Sequence, residues 1–345
     1  MKLVMTLLAR DEADIVDAQI AFHLSAGVDY VIATDNRSED ETTAILERYE
    51  RNGLLHLIRE PGDDLRQTEW VTRMARLAAT RFAADWVINT DADEFWWPQG
   101  GSLKDVLAAV PEHFGVIRAA WRNFVPRPEG HAFFAERMTV RHAAPSFHPH
   151  PLTTHYKSAH RGAVDVRVGR GNHEAFGERL LPLRGWYPIE ILHFPVRSLE
   201  HCRHKYVTQF VALERNAEKG IAGHMAEAYR AYLDGDLDNF YAPLVVDDAR
   251  LRSGLAIGTY AIDTRLRDRL QALGFGEAAA SSADPAFSQR GVRESAEFAA
   301  EYSVLQEADL GLALGSRVAE IESRIGALEQ RTLFRFRAAL MGRRA

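Results

Sequence analysis

The chain has one cysteine, Cys202, in 345 residues. An internal disulfide is therefore excluded, which fits a reducing cytosol. Cys202 itself reads as a small, half-buried hydrophobe rather than a reactive thiol. No apolar run approaches the roughly 20 residues that a membrane helix needs. The start, MKLVMTLLARDEAD, meets Arg10, Asp11 and Glu12 before any small-residue cleavage site, so it reads as a buried strand and not a leader. Charge of one sign is scarce as well: a net charge of −6 makes no case for nucleic acid or an acidic polymer as partner. There is no fixed-period repeat. No glycine follows the first apolar run, where a nucleotidyltransferase would carry a phosphate-cradling loop.

What remains is the composition of a soluble globular protein, 46% hydrophobic and 26% charged, long enough for one large domain or two ordinary ones. Strand and helix signals alternate over the first hundred residues. Apolar runs at 3–9, 28–35, 54–60 and 85–91 read as strands. Segments 11–27, 38–53 and 67–83 read as helices; the second opens on a Ser38 cap, and Gly27 and Gly53 close the first two. This alternation predicts an α/β fold with a mostly parallel central sheet. A short helix is expected at 102–111, a strand at 114–126, and helices beyond 199. Each early strand ends in polar residues: Arg10-Asp11-Glu12, Asp35-Asn36-Arg37-Ser38, Arg59-Glu60 and Asp91-Ala92-Asp93-Glu94. Those ends should share one edge of the sheet, where ligands of open α/β sheets bind.

The last of these ends raises a charge problem. Residues two apart along an extended segment face the same side, so Asp91 and Asp93 converge. Two unpaired carboxylates raise each other's pKa or take a cation. Mg²⁺ or Mn²⁺ beside a substrate phosphate would satisfy them; the plain alternative is a solvated acidic turn. Asp35 can accept from a base imide or a ribose hydroxyl. Asn36 and Ser38 can cap a helix whose N-terminus favours phosphate, or merely cap it. Together the two ends suggest a nucleotide-diphosphate site.

Three segments, LLARDEADIVDAQIAFHLSAGVDYVIATDNRSEDET (7–42), ADWVINTDADEF (84–95) and ILHFPVRSLEHCRHKY (191–206), resemble in order the motifs of family 2-like glycosyltransferases, including their D-x-D-E-F and H-F-x-x-R-S elements. Position 11 departs from the pattern with Asp for Asn, and Phe22 precedes His23 where a second His is usual. The resemblance spans roughly residues 3–205 and implies a GT-A fold, a nucleotide-sugar-binding α/β/α sandwich, with a C-terminal helical extension. It implies a UDP-sugar donor, a glycan or lipid-linked acceptor hydroxyl, and inversion. Arg10, Glu12, Asp35, Asn36 and Gln67 would surround the donor. Asp91 would face the ribose or sugar and, with Asp93 and His193, form the Mn²⁺ or Mg²⁺ site. Glu94 would support it, and Arg197 and Lys205 would neutralise the leaving phosphates. For the general base, Asp165 and Glu174 lie in the expected acceptor half, and Glu174 is favoured, with His173 beside it. Non-catalytic glycan or nucleotide binding on the same fold, and nucleotidyl transfer, are the alternatives.

The histidines at 131, 142, 148, 150, 155, 160 and 173 come without thiolates or an H-E-x-x-H helix, so a separate zinc site is not expected. Of Trp96 and Trp97, one should pack inward and one line a sugar groove. The expected organisation is a catalytic domain over 1–215, divided into a nucleotide-sugar half (1–100) and an acceptor half (101–215). A helical extension (216–275), a flexible connection (276–316) and a C-terminal helix (317–345) follow. In that last helix Val318, Ile321, Ile325 and Leu328 form a short heptad seam suited to a homodimer or to packing back on the globule. The final fifteen residues hold five arginines and no acid, suited to an anionic membrane surface. The expected location is cytoplasmic, with peripheral contact at the inner membrane face.

Overall fold

The computed structural model describes residues 1–62, 65–128, 130, 132–143, 156–214 and 223–277, with Leu314 and Val318. The chain forms two compact units, Met1–Phe147 with His155–Arg293, and His148–Thr154 with Glu294–Ala345; the fold below is that of the first. Almost all of the expected connection at 276–316 and C-terminal helix at 317–345 lies outside the described residues, with the dimer and membrane contacts expected there. His131, His148, His150 and His155 also lie outside them.

Strands β1 (Leu3–Ala9), β2 (Tyr30–Asp35), β3 (Leu55–Arg59) and β4 (Trp86–Asp91) alternate with helices α1 (Val16–Ser25), α2 (Thr42–Arg51) and α3 (Gln67–Thr80). Successive side chains of β1 go to opposite faces. Leu3, Met5 and Leu7 join Val16, Ile20 and Phe22 of α1 in the larger core, while Val4 meets Val71, Met74, Ala75 and Ala78 of α3 on the other side. A strand covered on both faces needs an unbroken apolar run, which explains the composition of β1. Gly27, at φ +112°, makes the turn out of α1 that a side chain would resist.

Next come β5 (Glu94–Pro98), α4 (Leu103–Ala108), β6 (Val116–Asn123), α5 (Phe134–Arg137), β7 (Val140–His142), β8 (Tyr156–Arg161), β9 (Arg167–Val168), a 3-10 turn (Arg170–Asn172), β10 (Ala175–Phe176) and β11 (Ile189–His193). The main sheet runs β3-β2-β1-β4-β8-β6-β11-β5. Only β8 and β5 run against the other six strands. This is the α/β architecture with a mostly parallel sheet that the strand-helix alternation predicts. The carboxyl ends of β1, β2, β4, β6 and β11 therefore share one edge, and the antiparallel β8 and β5 begin there. The chain order reverses at β1, between β2 and β4, which opens a crevice at that edge.

Helices α6 (Leu199–Glu214), α7 (Gly223–Leu233), α8 (Leu237–Tyr241), α9 (Asp248–Ala256) and α10 (Arg265–Ala272), with β12 (Tyr260–Ile262), complete the unit. The stretch expected as a helical extension is thus tied into the sheet domain: β12 pairs with β7, and Leu266 and Leu270 of α10 enter the larger core. Two local expectations are corrected. Ser38 does not cap α2, which starts at Thr42; its hydroxyl donates to Asp35 Oδ1 at 2.6 Å and accepts from the Asp11 N–H. Both Trp96 and Trp97 are buried, because β5 is covered on its two faces; Trp97 stacks on Phe22 and lies under the Arg265 guanidinium.

Candidate active site

The edge crevice is a cavity lined by Arg10, Glu12 and Asn36 from the first two strand ends, by Gln67 and Thr68 of α3, and by Asp91, Ala92 and Asp93 after β4. Trp121 of β6, Arg170, His193 of β11 and Lys205 of α6 close its other side. Leu8, Ala9, Leu65, Ala212 and Met225 add apolar wall. Three of the four polar strand ends thus converge. The end of β3 does not: Arg59 pairs with Glu47 at 2.5 Å, and Glu60 pairs with Arg73.

Asp93 sits at the turn between β4 and β5, buried, with Lys205 Nζ at 2.5 Å and His193 Nε2 at 3.7 Å from its Oδ2. Burial would raise its pKa; the Lys205 ammonium and His193 outweigh that and hold the carboxyl well below its ordinary range. Burial lowers the His193 pKa against the opposing pull of Asp93, which favours the neutral ring. The His193 Nδ1 lies 2.7 Å from Asn123 Oδ1, and in that tautomer Nδ1–H donates and Nε2 keeps its lone pair toward Asp93. Trp121 stacks on the same imidazole at 4.3 Å between ring centres. A neutral imidazole fixed through its far nitrogen beside an ionised carboxylate fits a divalent ion. One ligand atom each from Asp93, Glu94 and His193 lies within 4.8 Å of the others.

Glu94 and Asp91 serve a different cation. Lys157, at the start of β8, places Nζ 2.6 Å from Asp91 Oδ2 and 2.9 Å from Glu94 Oε1. The remaining Asp91 oxygen accepts from Asn172 Nδ2 at 3.2 Å and Gln67 Nε2 at 3.4 Å. Glu94 is fully buried, accepts from Trp121 Nε1 at 3.0 Å, and is raised by burial to about 8. The turn that delivers Asn172 has Gly171 and Asn172 both in the left-handed region, at φ 65° and 60°, and Gly171 N–H donates to Gln67 Oε1. Asp91, expected as a metal ligand, has its oxygens on Lys157 and two amides, and it is not among the three residues whose ligand atoms cluster.

Other expected residues divide. Arg10, Glu12, Asn36, Gln67 and Lys205 line the cavity as expected. Asp35 does not; Ser38 N–H, Ser38 Oγ and Thr43 Oγ1 all donate to its carboxylate, and no side chain caps α2. Arg197 does not reach the cavity either. It is buried, with Nη2 2.5 Å from Glu12 and Nε 2.6 Å from Asp14, and so ties α6 to the loop after β1. Glu12, though paired, is raised by burial to about 7. Glu174 lies outside the cavity lining and pairs with Arg118 at 3.3 Å, so the structure does not place it as a base. Its neighbour His173 packs edge-on against Trp121. Sequence reasoning missed Lys157, Trp121, Asn123, Arg170 and Asn172, all of which follow the matched motifs of the first hundred residues.

Residues 6–125, about a third of the chain, match the model of glycosyltransferase family 92. That segment carries Arg10 through Asp93, Trp121 and Asn123, while Lys157, His193 and Lys205 lie beyond it. The match and the family 2 motif resemblance agree on glycosyl transfer and differ in the family. No curated protein matches the chain. Among solved structures, S. aureus TarS 1–349 in complex with UDP-GlcNAc is 14% identical over 68% of this chain and 72% of that one, with TM-score 0.37. The same fragment with UDP is 15% identical over 91% and 92%, with TM-score 0.35. Glucosyl-3-phosphoglycerate synthase from Mycobacterium tuberculosis, in complex with Mn²⁺, UDP and phosphoglyceric acid, is 17% identical over 35% and 43%, with TM-score 0.27. These scores are low, and the reading of the site rests on its own geometry.

Proposed function

We propose that the protein is a metal-dependent glycosyltransferase of GT-A type, moving a sugar from a UDP-sugar to a hydroxyl of a glycan or lipid-linked acceptor with inversion. The observation that carries this reading is the Asp93–His193 pair: a buried carboxylate with an imidazole nitrogen 3.7 Å away, in a cavity edged by Arg10, Arg170 and Lys205. The glycosyltransferase family match over residues 6–125 supports it.

Asp93 and His193 would hold Mn²⁺ or Mg²⁺, a hard ion suited to one carboxylate, one imidazole and diphosphate oxygens. Such an ion supplies positive charge against the leaving diphosphate. The chain adds fixed charge of its own: the Lys205 ammonium is already at Asp93, and Arg10 is held only at long range, 3.5 Å from Asn36 and 3.7 Å from Asp11. Groups preorganised where charge develops stabilise the transition state more than the ground state. Asn36 and Gln67 line the cavity with amides that already bond Gly62 and Arg10, and Asp91 and Gly171, and the apolar wall of Leu8, Leu65 and Met225 would exclude water that would hydrolyse the donor.

Release of UDP from UDP-sugars, with Mn²⁺ and with chelator, in wild type and Asp93→Ala, tests the reading. Metal-dependent release that the substitution abolishes is expected. No turnover or binding with any nucleotide sugar would defeat it.

A further inference from the structure

The chain contains five lysines against 37 arginines. Two of the five, Lys157 and Lys205, are in the candidate site. A lysine is a compact point charge, whereas arginine spreads its charge over a planar fork. Using the rarer cation twice in one place suggests that a single charge must fit a small space.

Lys157 fits such a space. Its side chain is almost wholly buried on β8, which lies between β4 and β6, and its ammonium sits over the Trp121 ring, 5.3 Å from the ring centre. The ammonium bridges Asp91 and Glu94 at 2.6 and 2.9 Å and does not touch Asp93. The acidic turn is thus divided between two cations, with Lys157 on one pair of carboxylates and Lys205 on the third. A lysine costs several kcal/mol to bury, and purely structural neutralisation would be met as well by apolar replacement of the trio. The separation of charges points to a purpose beyond stability.

Resting on the metal reading above, we propose that Lys157 is a positioning residue that keeps Asp91 and Glu94 out of the metal's ligand set. Among the described residues Asp93 and His193 are then the only protein ligands, and the ion's remaining positions are open to a nucleotide diphosphate. Without the ammonium, three carboxylates would close around the ion and compete with that diphosphate. A site closed by protein ligands binds metal tightly and works poorly, the contrast between structural and catalytic centres.

The test is Mn²⁺ binding to the full chain, followed by the electron paramagnetic resonance of free Mn²⁺, without nucleotide. Lys157→Met keeps the apolar stem and removes the charge. It should bind Mn²⁺ about tenfold tighter than wild type, because one positive charge that repels the ion is gone, and UDP should add less to that affinity. Lys157→Arg keeps the charge and should stay within about threefold of wild type on the same scale. Asp91→Asn should also stay within about threefold, since Asp91 is not a ligand; in a Lys157→Met background it should reverse the tightening. The proposal is overturned if Lys157→Met binds Mn²⁺ no tighter than wild type, if neither protein binds it, or if Asp91→Asn alone weakens binding tenfold or more. Should Lys157→Met fail to fold, the Asp91→Asn and Lys157→Arg titrations decide. Mn²⁺ binding that follows this pattern without turnover of any nucleotide sugar would sink the glycosyltransferase reading and leave the division of the carboxylates standing.

Discussion

Lys205 Nζ lies 2.5 Å from Asp93 Oδ2, on the carboxylate oxygen that also faces His193 Nε2 at 3.7 Å. One oxygen therefore serves a helix ammonium and borders the candidate metal position. With an ion bound at Asp93, the ammonium is placed to turn toward the diphosphate. Lys205→Met should bind Mn²⁺ at least as well as wild type, because a competitor for Asp93 is gone. Its UDP-sugar hydrolysis should fall on the order of 10²-fold in kcat, the cost of removing one preorganised charge. Parallel Mn²⁺ titration and steady-state kinetics check both halves.

Asn123 holds His193, the candidate metal ligand, through the 2.7 Å contact to Nδ1. Asn123→Leu would release that nitrogen and let the other tautomer form. Mn²⁺ affinity should drop by about 10–100-fold, as for other partners that hold a ligating imidazole. Calorimetric titration measures it, and circular dichroism should show the fold intact.

Arg197 gives the opposite expectation. It is buried between Glu12 and Asp14, so Arg197→Met leaves carboxylates without their cation. Breaking such a pair costs about 3–5 kcal/mol. Urea unfolding should show that loss. A variant that keeps full stability and loses only nucleotide affinity would restore the phosphate-neutralising role that its motif suggests.

His23 links stability to pH. Its Nδ1 donates to Gln19 C=O at 2.7 Å, and Nε2 accepts from Trp96 N–H at 3.1 Å, so the neutral ring joins α1 to β5. Burial lowers its pKa to about 4 from an ordinary 6.5. Because the folded value is depressed, the unfolded chain binds the proton first. The contribution is therefore complete above pH 6.5 and is lost as pH falls toward 4, with a limit on the order of 3 kcal/mol. Unfolding free energies at pH 7 and pH 4.5 should differ less in His23→Gln than in wild type, although the variant is weaker at pH 7.

The sheet was legible because its signal is local. Continuous apolar runs in β1 to β4 and the glycine after α1 follow from what each segment must bury, and the four strands appear within two residues of their expected bounds. Asp91 and Asp93 were legible as chemistry because acids ending a strand need explaining, whereas His193 came only from the motif resemblance. Partnership was not legible. Arg197 and Glu12 are 185 positions apart, and whether such a cation meets phosphate or a buried acid depends on packing. Asp35 shows the same limit at short range: Ser38 and Thr43 use up its oxygens. Lys157 was hidden because β8 enters the sheet out of chain order, between β4 and β6. Only that insertion sets its ammonium against the turn after β4. The tryptophans of β5 misled because edge placement in sequence does not reveal that helices cover both faces.

The most direct measurement is the thermal stability of the full chain with UDP, in Mn²⁺ and in chelator, for wild type, Asp93→Ala and His193→Ala. A ligand present at 100 times its Kd adds about 2.7 kcal/mol to the folded state, which for a chain of this size is a rise of roughly 4 °C in Tm. The expected result is that rise for wild type with Mn²⁺ alone, and none in either variant or in chelator. An equal rise with and without metal, or one that survives Asp93→Ala, would contradict a nucleotide diphosphate bound through an ion on Asp93 and His193.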